Sequence, residues 1–130
     1  MTRAAIRVLC VDDEQFLLSA LERALHGTCE TRTTTSPAQA LQILEEDASI
    51  GVVICDLSMP ITNGIELLGK VRSRWPHIVR VLLSGHGANC LPPGDRSLAH
   101  ACLAKPFPAE QLESVVKHAL ESSSPVAACA

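Results

Sequence analysis

Residues 51–56 read Gly-Val-Val-Ile-Cys-Asp, an apolar run unbroken until its final aspartate. A short run of this kind, rich in β-branched residues and without polar alternation, marks a strand buried on both faces. Both sides of its sheet must then be covered, so helices have to lie above and below it.

The neighbouring patterns supply those helices and further strands. Residues 5–11 form a short apolar run broken by Arg7, which stops at Asp12-Asp13-Glu14 and predicts a buried strand entering a polar loop. The period then changes over residues 16–25. Leu17, Leu18, Leu21, Ala24 and Leu25 make one stripe of an amphipathic helix that stops near Gly27. The Thr-rich residues 29–34 suit a strand with one wet face. Ser36-Pro37-Ala38-Gln39 has the spacing of a capping box with proline at the first helical position, and Ala40, Leu41 and Leu44 continue it as an apolar face.

Beyond the buried run, residues 65–75 predict a third helix that Pro76 ends, and residues 77–84 a fourth buried strand. Pro92-Pro93-Gly94 interrupts residues 88–100, so a helix there is short, from about Pro93 to His100. Residues 101–104 make a last short strand, and residues 108–120 a helix with Leu112, Val115, Val116, Ala119 and Leu120 on one side. Five strands alternating with five helices assemble, through right-handed crossovers, into a doubly wound parallel sheet. The expected architecture is flavodoxin-like α/β with strand order 2-1-3-4-5, one domain over residues 1–121, and residues 122–130 as a tail or the start of a linker. No output module is expected within these residues.

With 130 residues, 47% hydrophobic and 19% charged, a disordered or low-complexity chain is excluded. A net charge of −3 carries no electrostatic footprint for direct nucleic-acid binding or an anionic membrane. No apolar stretch approaches the roughly 20 residues of a membrane span, and Arg7, Asp12 and Asp13 break the N-terminal run as no signal peptide would. A cytoplasmic location is expected. The six cysteines contain no CxxC pair, and Cys10 and Cys55 lie within apolar runs, which suits reduced thiols packed as small hydrophobes. His100 and Cys102 are close in sequence, but two ligands do not make a structural zinc site.

The chemistry gathers at the carboxyl ends of the strands, where ligands of such sheets bind. Asp12 and Asp13 follow the first strand, Asp56 ends the third, Ser84 ends the fourth, and Lys105 follows the fifth. In order 2-1-3-4-5 the first and third strands are neighbours, so three carboxylates converge with a hydroxyl and an ammonium beside them. Crowded carboxylates repel one another, and a hard divalent cation with oxygen ligands, such as Mg²⁺, relieves the repulsion. A carboxylate beside it serves as nucleophile toward phosphorus and forms an acyl phosphate. On this expectation Asp56 is the acceptor, with Lys105 and Ser84 contacting the phosphate. Taken singly these residues have plainer roles: Asp12-Asp13 as a helix cap, Ser84 as a turn residue, Lys105 as a solvated lysine.

These motifs, Val-Asp-Asp-Glu at 11–14, Asp-Leu-Ser-Met-Pro at 56–60 with Asn63-Gly64 after it, Leu-Ser-Gly at 83–85 and Lys-Pro-Phe at 105–107, resemble those of receiver domains of bacterial two-component response regulators. The resemblance extends from about residue 6 to residue 120. It implies that Asp56 takes a phosphoryl group from a sensor histidine kinase or phosphotransfer protein. It also implies that Asp13, Asp56 and the Ser58 carbonyl bind Mg²⁺, with Asp12 assisting through water, that Ser84 and Lys105 read the phosphate, and that the Lys105-Pro106 bond is cis. Ser58 and His86 stand where such domains tune the lifetime of the phosphate. A turnover enzyme is not expected, only self-phosphotransfer and autodephosphorylation at Asp56. The output domain or protein is unknown, and a homodimer is compatible with the family.

Two positions depart from the pattern. Cys102 stands where many receivers carry Tyr or Phe, which removes an aromatic switch, and Pro92-Pro93-Gly94 falls in the segment that usually carries the signalling face. Two other functions therefore stand beside the phospho-accepting receiver. One is a receiver-like interaction module independent of phosphate; the other is a Mg²⁺-dependent phosphatase with an Asp nucleophile, whose usual general-acid Asp is here Ser58.

Overall fold

A computed structural model describes residues 6–27, 29–56, 64–84, 99–104 and 109–122. The elements are β1 (Ile6–Val11), α1 (Gln15–Leu25), β2 (Cys29–Thr34), α2 (Pro37–Glu46), β3 (Val52–Asp56), α3 (Gly64–Arg74), β4 (Val79–Ser84), β5 (Ala101–Ala104) and α4 (Ala109–Ser122). All strand pairs are parallel, and the order is β2-β1-β3-β4-β5. This is the doubly wound sheet the alternating pattern predicts. The short helix expected between β4 and β5, with Pro92-Pro93-Gly94, lies outside the described residues.

The pleat of each central strand divides its side chains between two cores. Val8 and Cys10 of β1, Val52 and Ile54 of β3, and Val79, Val81 and Leu83 of β4 pack beneath α1 and α4 through Leu18, Leu21, Leu25, Leu112 and Val116. Leu9, Val11, Val53, Cys55 and Leu82 face the other way, onto α2 and α3 through Ala40, Ile43, Leu44, Leu67, Leu68 and Val71. β3 is buried along its whole length, as its unbroken apolar run requires. Alternate residues of each central strand thus serve opposite cores.

Boundaries differ from the sequence pattern for local reasons. Gly51 precedes β3 yet continues its ladder, donating to the Arg7 carbonyl at 3.0 Å and accepting from Val79 N–H at 2.9 Å. β4 starts at Val79 and not at residue 77, because the chain leaving α3 turns first, with Ile78 N–H bonded to the Trp75 carbonyl at 3.0 Å. α1 ends at Leu25, and Gly27 takes φ +85°, a left-handed conformation in which a side chain would be strained.

The buried strand over residues 79–84 also contains Arg80, only 2% exposed, which hydropathy alone does not anticipate. Its guanidinium donates from Nη1 to the carbonyls of Ile78 at 3.1 Å and Pro76 at 3.4 Å, so the charge is solvated by backbone. Cys10, Cys29, Cys55 and Cys102 are free thiols; Cys10 and Cys55 are fully buried, and burial pushes both far above the ordinary thiol range. Burial, and then the Glu113 charge, raises Cys29 as well. No helix among the described residues is long and apolar enough to cross a membrane.

Candidate functional site at the carboxyl edge of the sheet

β1 and β3 are direct neighbours, with Val11 in register with Cys55, so the residues that follow each share one edge. Asp12 is the first residue past β1, and its N–H is held by the Thr34 carbonyl at the end of β2, at 3.3 Å. Its Oδ1 accepts the Glu14 N–H at 2.8 Å, a two-residue side-chain turn that redirects the chain into α1. The N-cap of α1 is Glu14, which makes no side-chain cap bond, so the Asp pair is not a helix cap. Asp12 is fully buried; Asp13, one residue on, is exposed.

Asp56 closes β3 and is 7% exposed. Oxygens of Asp12, Asp13 and Asp56 lie within 4.8 Å of one another, one buried wall, one exposed rim and one buried floor. Among the described residues this is the one group of three or more His, Cys, Asp or Glu side chains gathered closely enough to hold a metal ion. At such separations the like charges repel strongly, the more so where burial removes the screening of water. Hard oxygen donors with one member open to solvent suit a small, hard divalent cation that keeps part of its water shell. The donor set therefore fits Mg²⁺, and it lacks the thiolate or imidazole a softer metal prefers.

Ser84 ends β4 in register with Ala104, the last residue of β5, so its backbone stands at the same sheet edge as Asp56. Lys105, Ser58, His86 and the Lys105-Pro106 bond lie outside the described residues. Cys102 is half-buried and packs against the core beneath α2 and α3, at the position where a ring was expected to be missing.

Two features went unseen in the sequence. The capping box of α2 is only half formed: Ser36 Oγ accepts the Gln39 N–H at 3.2 Å, but the Gln39 side chain does not return to the Ser36 amide. Thr34 takes that place, its Oγ1 accepting the Ser36 N–H at 3.1 Å and donating to Gln39 Oε1 at 2.5 Å. A Thr two residues before a Ser cap is a usable signal for such a corner, since its hydroxyl is within reach of the amide. The second feature is His100, buried just before β5, whose Nδ1 accepts the Arg80 N–H at 3.0 Å. That bond is structural, and it replaces any metal-ligand role for His100 with Cys102.

A doubly wound parallel sheet with an acidic cluster at its carboxyl edge is the arrangement of a receiver-type signalling domain. The chain belongs to the response regulator receiver domain family, whose model matches residues 8–117. It is 36% identical over 132 residues to the response regulator protein FleR of Pseudomonas aeruginosa, covering 95% of this chain and 28% of that protein. It is 32% identical over 117 residues to the hydrogenase transcriptional regulatory protein HoxA of Cupriavidus necator, covering 88% of this chain and 24% of that protein. Among solved structures, a response regulator receiver domain protein from Clostridium thermocellum matches with TM-score 0.81 and 30% identity, covering 90% of this chain and 95% of that one. The chain thus spans about a quarter of the length of the curated relatives it matches.

Proposed function

We propose that this receiver domain accepts a phosphoryl group on Asp56, with Asp12, Asp13 and Asp56, joined by the Ser58 carbonyl, holding Mg²⁺. The observation that supports it best is the convergence of three carboxylates within 4.8 Å, two of them buried. A packing role does not account for that expense, whereas a cation and a phosphoryl group do. Bound Mg²⁺ supplies positive charge against which phosphoryl oxygens are oriented and neutralised.

Asp56 is the nucleophile. One carboxylate oxygen forms a bond to phosphorus while the P–N bond of a donor phosphohistidine breaks; the electron pair leaves on the imidazole nitrogen, which takes a proton from water. Asp12, buried and with Oδ1 tethered to the Glu14 amide, would hold the cation beside it. Ser84 and Lys105 contact the phosphoryl oxygens by family pattern, contacts that exist only in the phosphorylated form and so bias β4 and β5. Water returns the group as inorganic phosphate, which makes the domain a self-limiting switch without catalytic turnover on another substrate. The donor is a sensor histidine kinase or phosphotransfer protein of the cytoplasm. Relatives named as transcriptional regulatory proteins suggest that the switch governs transcription through a partner or a further domain.

The phosphate-independent interaction module keeps one observation in its favour, the half-buried Cys102 on β5 where an aromatic ring would swing. Intact-mass analysis after incubation with acetyl phosphate and Mg²⁺ separates the two. A labile gain of about 80 Da that requires Mg²⁺ and is lost in Asp56→Asn is the expected result. An unchanged mass after hours sinks the phospho-acceptor and leaves the interaction module.

A further inference from the structure

Thr34 closes β2 and is 5% exposed, in register with Val11 on the face covered by α2 and α3. Its backbone and its side chain do different things. The carbonyl holds the Asp12 N–H at 3.3 Å. The hydroxyl locks the first turn of α2, accepting from Ser36 N–H at 3.1 Å and donating to Gln39 Oε1 at 2.5 Å, while Ser36 Oγ and Ser36 O hold the amides of Gln39 at 3.2 Å and Ala40 at 2.9 Å. The hydroxyl's donor and one of its lone pairs are both engaged, so the β2–α2 corner has little freedom to rotate. Asp12 is consequently held at its amide by this corner and at Oδ1 by the Glu14 N–H.

We propose that Thr34 is a positioning residue for Asp12, its hydroxyl fixing the corner whose carbonyl holds the Asp12 amide and thereby setting how well the acidic cluster takes Mg²⁺ over a larger cation. The proposal rests on the metal role of the cluster. Mg²⁺ demands near-ideal octahedral geometry at short distances, whereas Ca²⁺ accepts variable coordination, so a loosened Asp12 penalises the smaller ion more. Groups that orient metal ligands without touching the metal commonly change affinity by an order of magnitude or more, and Thr34 acts one step further out.

Thr34→Val keeps the shape and removes both hydroxyl bonds. Calorimetric titration of the full chain with Mg²⁺ and, separately, with Ca²⁺ is expected to show the Mg²⁺ Kd rising about three- to tenfold and the Ca²⁺ Kd about twofold or less. Thr34→Ser is expected to restore the wild-type ratio. Equal weakening of both cations, or no change in either, overturns the proposal, since a general loosening of the fold does not discriminate ion size. Amide exchange at Asp12 in the metal-free protein tests the mechanical link alone. Exchange accelerated in Thr34→Val beyond the change in global stability supports it, and unchanged exchange overturns it. Should the wild-type chain bind neither cation, the metal role of the cluster fails, and the selectivity claim with it, whatever Asp12 exchange shows. If Thr34→Val does not fold, Gln39→Ala at an exposed position removes one of the two bonds and is expected to shift the Mg²⁺ to Ca²⁺ ratio in the same direction.

Discussion

His100 and Arg80 exchange two hydrogen bonds across β4 and β5: the ring Nδ1 takes the Arg80 N–H at 3.0 Å, and the His100 N–H reaches the Arg80 carbonyl at 2.7 Å. The ring thereby supplies an acceptor one residue before β5 begins, where the ladder has none. Nδ1 can accept only when it carries no proton, so the bond exists in the neutral ring with its hydrogen on Nε2.

Burial, and then the nearby Arg80 charge, hold His100 below its ordinary value of 6.5. Arg80 is itself lowered by burial and by Arg72 of α3. The unfolded chain therefore binds a proton at His100 that the folded chain refuses. Stability from this group is complete above the unfolded value and declines as pH falls from about 6.5 toward the lowered folded value. Urea midpoints measured at pH 7.5 and 5.5 are expected to drop in the wild type and to drop less in His100→Asn, which offers an acceptor that does not titrate. His100→Ala is expected to cost about 1–3 kcal/mol at pH 7.5 by orphaning the buried Arg80 amide.

Relief of carboxylate repulsion gives a second expectation, for the wild-type chain with and without cation. Mg²⁺ at about ten times its Kd adds about 1.4 kcal/mol to the unfolding free energy. In Asp12→Asn that increment is expected to shrink below detection, while the metal-free variant equals or exceeds the wild type in stability because one of the clustered charges is gone. Thermal or urea unfolding in EDTA and in MgCl₂ reads both effects.

Asp47, the C-cap of α2, provides a test at the opposite edge of the sheet. The Ser49 hydroxyl and amide, and after them Arg7 and Arg32, hold its carboxyl below 3.8. Its contribution is present above the unfolded value and is lost as pH falls through the lowered folded one. Ser49→Ala removes the largest cause, so NMR titration of the Asp47 carboxyl carbon is expected to move up toward 3.8, with Arg7 and Arg32 retaining part of the depression.

Thiol labelling checks the two-core architecture. In a Cys90→Ser, Cys129→Ser background, a disulfide reagent at pH 8 is expected to modify half-buried Cys29 and Cys102 in the folded chain. Cys10 and Cys55, each with 0% exposure on opposite faces of the sheet, react only as fast as the protein opens. Rapid labelling of four thiols would contradict the packing.

Much of the fold is legible in the chain because burial leaves a periodic trace. The stripe of Leu18, Leu21 and Leu25, the unbroken run into Asp56 and the alternation of the two patterns each follow from which side chains meet water. The acidic site is legible for the same reason: a carboxylate after an apolar run has to sit where the run surfaces, and a parallel sheet brings all such ends to one edge. Arg80 was not legible, since its charge is solvated by the carbonyls of Ile78 and Pro76, groups every residue carries.

By itself the sequence determined the order of strands and helices, the edge at which Asp12, Asp13 and Asp56 emerge, and the family to which those positions belong, because these depend on local periodicity and on residue type. Tertiary structure decided that Asp12 is buried while Asp13 is exposed, that Thr34 joins the α2 corner to the Asp12 amide, and that His100 completes the ladder beside Arg80. Each of these needs partners from different strands or helices at hydrogen-bonding distance, and such distances are set by the packing of the whole sheet.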